Sequence, residues 1–434
     1  MSTFESIVPN RVQVVRAYII SGITQQAWDI SSNIPKIVLY ENIFSPFISG
    51  EVYIADDSNL VNEIPLVGQE VFQLYFQYKD KEIARDFHVA EIENIKNNQD
   101  SYGSYVLKIV DHKQMLNAIN TFSRSYSGRN TDIIANIHGD FLNSEIEVVS
   151  QGASSHNVVF PYGKPYQAIT MMLKNTFAAD GSPLYLYDSL NGGVVYLKSL
   201  TDMYEEDPLI IDNVNNVNYD EDGQAQRQMP DQNTTASTQI IRRAYPTYRN
   251  INEGYFASNI TTVDIANKTY TDNVYNYNVN YEEEHEYHNK YLSDNYRVDE
   301  RTLYNIPEAY KLLYYTNARA FPSLSVGNVS NLDSVQRATH RAYHKMLKNQ
   351  AVLLRTNPRT DIEVGKMLNL HIKRMKPNMD ENLDSDPVNS GSYLCSAIKH
   401  VIEGSKYTLN VEAVRSGINN EVSVWFTLVL LKTD

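Results

Sequence analysis

Alternating apolar and polar positions dominate the first hundred residues. Val12, Val14 and the run 17–20 predict one strand, 37–40 a second and 51–55 a third. The clearest strand is 71–78, where Phe72, Leu74, Phe76 and Tyr78 fall on one face. Strands over 86–95 and 105–110 follow. The stretch 43–47 is apolar but contains Pro46, which predicts a connection rather than a central strand. Six strands with short turns predict a barrel or a sandwich.

The period changes after Asp111. Met115, Leu116, Ile119 and Phe122 are at helical spacing. A second helix is predicted with Thr131 as its cap and Ile133, Ile134, Ile137 and Phe141 on one face. A third is predicted from Pro165, with Ala168, Ile169, Met172, Leu173 and Phe177 buried. The segment 184–197 reads as a hairpin turning at Asn191-Gly192-Gly193. Residues 212–240, rich in Asn, Asp, Gln and Thr, read as a long loop. The stretch 245–315 is rich in Tyr and Asn, with β-like patches. Asp333 caps a predicted helix carrying Val335, Ala338, Ala342 and Met346, and 350–355 returns to strand. The final apolar run, 422–431, includes Trp425 and Phe426 and is expected to pair with its own barrel or with another chain.

The chain also repeats itself. The segment 87–92 lies over 393–398, and 105–110 lies over 407–412. Each copy has the same lead-in, Val67-Gly68-Gln69 before the first and Val364-Gly365-Lys366 before the second. The fold class is therefore α+β, mainly β, with two antiparallel β-barrels and inserted helical and mixed domains. The expected units are a first barrel over 1–112, a helical or mixed connecting domain over 113–180, a mixed Tyr/Asn-rich region over 181–349 that lends strands to the second barrel, and that barrel with its apolar end over 350–434.

Composition narrows the function classes. The net charge of −14 argues against a surface that grips nucleic acid. No apolar run is long enough for a membrane-spanning helix, and residues 1–15 lack the pattern of a secretory signal. A single cysteine, Cys395, rules out a disulfide framework and reads as a small buried hydrophobe. His285 and His288 among glutamates read as an acidic surface rather than a metal site. His340 and His344 are four apart, but Arg341 stands where a zinc protease needs its glutamate. No nucleophile elbow, phosphate loop or dinucleotide fingerprint occurs. The chain is expected not to be an enzyme and to need no cofactor and no metal.

The second copy resembles a known family. Gly391, Tyr393, Cys395, Ile398 and His400, followed by the strand with Tyr407 and Val411, are similar to the second barrel of the central baseplate hub protein of contractile-tailed phages. The likeness covers roughly 10–112 and 350–416. It implies two barrels like the tail-tube subunit in each chain and a homotrimer that joins a threefold central spike to a sixfold tail tube. The partners it implies are further copies of the chain, the spike, the tube or tube-initiator protein, the tape measure protein and the baseplate wedge proteins. The resemblance implies DNA only in transit through a lumen, which an acidic lining would keep from sticking. The implied location is the virion tail baseplate, assembled in the host cytoplasm. Gly68 and Gly365 read as tight turns and His400 as a hydrogen-bonded strand residue. The alternatives are the hub of a bacterial contractile injection system, which shares the fold, and a tail-associated carbohydrate-binding adhesin built on the Tyr-rich middle.

Overall fold

The computed structural model describes residues 12–57, 60–78, 81–97, 103–213, 218–219, 225–226, 235–265, 268–277, 279, 296–316, 329–372, 386 and 388–417. The fold is α+β, mainly β. The first seven strands are β1 (Gln13–Ile20), β2 (Ala27–Asp29), β3 (Lys36–Asn42), β4 (Ser45–Asp56), β5 (Val71–Tyr78), β6 (Lys81–Asn97) and β7 (Gly103–Asp111), with a single helical turn, α1 (Leu60–Glu63), between β4 and β5. They lie in the order β2-β1-β5-β6-β7-β4-β3. Alternation fixes which face is inside: Phe72, Leu74 and Phe76 on β5 are each at most 1% exposed. Contrary to expectation, Pro46 lies inside β4. It occupies the lead-in, before the β4–β7 ladder begins at Ser49, so its missing N–H breaks no bond of that ladder.

An inserted domain follows: α2 (His112–Ile119), β8 (Phe122–Arg129), α3 (Asn130–Leu142), β9 (Ile146–Val148), β10 (Ser155–Gly163), α4 (Pro165–Leu173), β11 (Leu184–Asp188), β12 (Val195–Ser199) and α5 (Leu200–Tyr204). It has its own core, built around Ile134, Ile137, Ile169 and Leu197. Phe122 opens a strand and does not extend α2. Thr131 sits inside α3 and bonds Gln151, while Arg129 holds the cap position without a side-chain cap bond.

The second barrel starts at β13 (Leu209–Asn213). Beyond the two-residue strands β14 (Asn218–Tyr219) and β15 (Ala225–Gln226), β16 (Thr235–Arg243) crosses part of the stretch expected to be loop. A side layer comprises α6 (Thr247–Asn252), β17 (Ala257–Asp264), β18 (Thr269–Asn276), β19 (Arg297–Val298), β20 (Arg301–Thr302), β21 (Lys311–Thr316) and α7 (Val329–Met346). Asp333 is interior to α7 rather than its cap. Then come β22 (Gln350–Thr356), β23 (Met367–His371), β24 (Gly391–Glu403) and β25 (Lys406–Arg415). The order β24-β23-β13-β16-β22-β25 closes on itself through β24–β25.

Both barrels belong to one 13-stranded sheet, because β3 of the first pairs antiparallel with β24 of the second. The repeat is visible in the ladders. Strands β5, β6, β7, β4 and β3 occupy the places of β23, β24, β25, β22 and β16. Both β6–β7 and β24–β25 carry a bulge at the same step, between Val89 and Glu91 in one and Cys395 and Ala397 in the other. This superposes 87–92 on 393–398, as the sequence predicts. The partner strand is set differently. Val89 faces Ile109 and Cys395 faces Ala413, so Tyr105 matches Leu409, two residues beyond Tyr407. The lead-ins also differ by one residue. Val89 N–H donates to Glu70 O, and Cys395 N–H donates to Lys366 O, so Glu70 rather than Gln69 stands over Lys366. Trp425 and Phe426 lie outside the described residues, as do His285 and His288.

Candidate interface: the seam between the two barrels

The seam is a ladder from Lys36↔Glu403 to Asn42↔Ala397. Its strand β3 comes from the sequence KIVLYEN, whose apolar run would place any carboxylate at its end close to the core. Glu41 is there, 2% exposed. Its Oε1 lies 3.3 Å from Nε2 of His400, whose side chain is fully buried. The Tyr407 hydroxyl and His400 Nδ1 share a hydrogen bond of 2.7 Å. The Tyr407 ring meets Phe76 and Tyr78 edge-on, with centroids 5.9 and 5.5 Å apart. The seam therefore brings together three of the residues singled out from sequence, Phe76, His400 and Tyr407, around a polar centre that both barrels share. At the open end of the seam Lys36 and Glu403 form a 2.9 Å ion pair, and Lys399 lies over the Tyr40 ring. Those surface contacts add little stability; the backbone ladder and the buried cluster hold the joint.

The tip of the β11–β12 hairpin wedges against the same place. The Leu190 N–H donates to Glu41 Oε2 at 2.5 Å, and Asn191 Nδ2 donates to Ile362 O of the second barrel at 3.2 Å. On the first-barrel side, Asp188 accepts from Lys113 at 2.6 Å and lies 3.4 Å from Arg85. Lys113 is also paired with Asp111 at 2.7 Å. Burial pushes the Asp188 carboxyl up, while the two cations oppose that shift. A buried acid between two cations is worth little beyond its desolvation, but it is costly to break. It ties the hairpin to one orientation.

The remaining sequence-selected residues serve turns and the far end of the second barrel. Gly68 and Gly365 both adopt the left-handed region, with φ of 81° and 83°. A Cβ at Gly68 meets nothing within 4 Å, whereas one at Gly365 meets the Tyr187 hydroxyl at 2.5 Å. The extra residue Glu70, 0% exposed, caps the first turn: its carboxylate accepts the N–H groups of Val67, Gly68 and Gln69 at 2.7, 2.9 and 3.0 Å. Tyr393 donates to Asn389 O at 2.6 Å and accepts from Gln350 Nε2, with the Arg415 guanidinium over its ring. Cys395 is fully buried, and burial raises its thiol well above the usual range. Glu41, Glu70, Tyr187 and Asp188 were not singled out from sequence. Only Glu41 and Glu70 carried a signal, each being a carboxylate against an apolar strand.

Elsewhere, a cavity of about 800 Å³ opens between α4, β11 and α7, lined by Phe44, Tyr185, Arg341, His340 and His344. Burial lowers the His340 pKa to about 4, so it is neutral at pH 7. Among the described residues no group of His, Cys, Asp and Glu is placed to hold a metal ion, and no helix is long and apolar enough to cross a membrane.

The fold of this chain also occurs in solved structures. A tail protein from Neisseria meningitidis MC58 superposes with a TM-score of 0.52 at 10% identity, over 93% of this chain and 96% of that one. The chain shares the fold of that tail protein. The 43 kDa tail protein of prophage MuSo2 from Shewanella oneidensis gives 0.47 at 9% identity, over 92% of this chain and 98% of that one. An Escherichia coli type VI secretion component, itself structurally similar to T4 bacteriophage tail proteins, gives 0.42 at 6% identity, over 88% of this chain and 73% of that one. No protein-family model matches the sequence, and no curated protein matches it.

Proposed function

We propose that this chain is a structural hub of a contractile phage tail, in which three copies place six barrels in a ring between a threefold spike and a sixfold tube. The observation that carries this reading is the seam. One chain holds two β units that share a five-strand order, fused through β3 and β24 into one sheet. A trimer of such chains has threefold symmetry in its inserts and near-sixfold symmetry in its barrels, which is what a symmetry adaptor needs. The net charge of −14 supports a lumen that repels DNA in transit. The chain acts through its surfaces, and no catalytic role is assigned to it.

The test is the mass of the purified full chain by light scattering across a dilution series, with and without a spike protein, followed by imaging. A particle of three 49.6 kDa chains showing six barrels around a channel supports the proposal. A chain that stays monomeric or dimeric at every concentration, and ignores spike and tube proteins, overturns it.

A further inference from the structure

The duplication makes one strand edge predict another. In the second barrel, β24 runs past β23: its ladder with β23 covers 391–394, and its overhang, 397–403, is covered by β3. In the first barrel, β6 does the same. Its ladder with β5 covers 81–88, and past the shared bulge the segment 91–97 pairs with β7 on one edge only among the described residues. Through the matched bulges, 91–93 is the counterpart of 397–399, and a second bulge between Glu93 and Lys96 shifts the rest of β6 against β7. The strand that covers 397–403 also has a counterpart: β3 pairs with β4 as β16 pairs with β22. Beyond Ala236, where its short ladder with β13 stops, β16 keeps one edge unpaired among the described residues.

We infer that the overhang of β6 in one copy is covered by β16 of a second copy of this chain, repeating between chains the seam that β3 and β24 make within one. The register follows from the ladders. Lys399↔Tyr40 of the internal seam becomes Glu93↔Arg242 between copies, and Ile398↔Glu41 becomes Ile92↔Arg243. The charges agree with that register. Glu91 and Glu93 share a face, both reaching Lys108, and Glu91 is exposed. Arg242 is exposed and holds no ion pair among the described residues. The contact is β-augmentation, in which main-chain bonds supply affinity and facing side chains supply register. It is heterologous, since β6 meets β16 and not itself, so it closes a ring rather than pairing two copies face to face.

This inference rests on the trimeric reading above, and one experiment separates the two. The full chain with Glu93→Cys and Arg242→Cys is oxidised at assembling concentration and run on a non-reducing gel; Cys395 is fully buried. Facing positions in adjacent strands lie within disulfide reach. Covalent dimers and trimers that vanish with reductant, and that neither single variant forms as a ladder to trimer, are expected. In a parallel arm, Glu93→Arg and Arg242→Glu each weaken association by roughly fivefold, and the two together restore it. A trimer by light scattering with no cross-link and no charge-swap rescue overturns this strand pairing and leaves the hub reading standing. No trimer at any concentration overturns both.

Discussion

Gly68 and Gly365 are a natural matched pair. They sit in the same turn of each barrel at φ of 81° and 83°, so an alanine pays the same left-handed strain at either, about 1 kcal/mol. They differ in what the new methyl meets. At Gly68 it enters open space. At Gly365 it lands 2.5 Å from the Tyr187 hydroxyl and 2.8 Å from the ring carbon that bears it. Tyr187 is 4% exposed and packs against Tyr196 with ring centroids 5.7 Å apart, so it has little room to swing away. Overpacking of this kind adds about 1–3 kcal/mol. Gly365→Ala is therefore expected to destabilise by about 3 kcal/mol and Gly68→Ala by about 1 kcal/mol. The assay is urea unfolding followed by far-ultraviolet circular dichroism, comparing transition midpoints. Adding Tyr187→Phe to Gly365→Ala removes the nearest atom, and the double variant should lose about 1 kcal/mol less than the sum of the singles. Equal losses at the two glycines, or strict additivity with Tyr187→Phe, would show that Tyr187 does not crowd this turn.

Three further outcomes are expected. Burial lowers the pKa of His138 and of His156, both in the inserted domain, to about 4. Folded-state values below the free value of 6.5 mean that the stability is complete above about pH 6.5 and is lost as pH falls toward 4. For His138, 0% exposed, the loss is about 3 kcal/mol at most; melting temperature should fall between pH 7 and pH 4, less steeply in His138→Asn, and an unchanged slope refutes the assignment. Tyr407→Phe removes the hydroxyl from the seam and should cost about 1–2 kcal/mol in thermal unfolding, since buried His400 loses its Nδ1 partner; a wild-type melting curve would count against the cluster. Asp188→Asn takes a charge from the side of buried Lys113 and should destabilise by about 3 kcal/mol, with limited proteolysis reporting release of the insert; resistance equal to wild type would show that the pairing does not anchor the hairpin.

How much of this was legible follows from the period of a strand. The repeat showed because glycine turns and alternating apolar residues are local signals, and they located Gly68, Gly365 and the 87–92 segment correctly. Alternation cannot see a slip of two, since every side chain keeps its face, and this is why Tyr105 aligned with Tyr407 when its counterpart is Leu409. The one-residue offset at Glu70 was hidden because its carboxylate folds back onto its own turn instead of continuing the strand. Strand β8 was missed because Ser and Arg mask the pattern where its face is solvated, and β16 because Ser, Thr and Gln interrupt its apolar run. The seam itself joins residues over 350 positions apart in the chain, and no local pattern encodes such a pairing. His400 was visible as a strand histidine; Glu41 carried only the signal of a carboxylate ending an apolar strand, and its pairing with His400 became visible only in three dimensions.

The seam also has an arithmetic consequence. Because the barrels are made in covalent pairs, any closed ring of these chains contains an even number of them. In the proposed ring of three chains, adding or losing one chain would change the turn per barrel from about 60° to about 45° or about 90°, roughly twice the misfit that a single-barrel subunit would suffer. Half of the joints in such a ring would be set during folding, before two chains meet. In that proposed ring the repeat would work as a counting device: it would make the neighbouring wrong rings worse fits than a solitary barrel could.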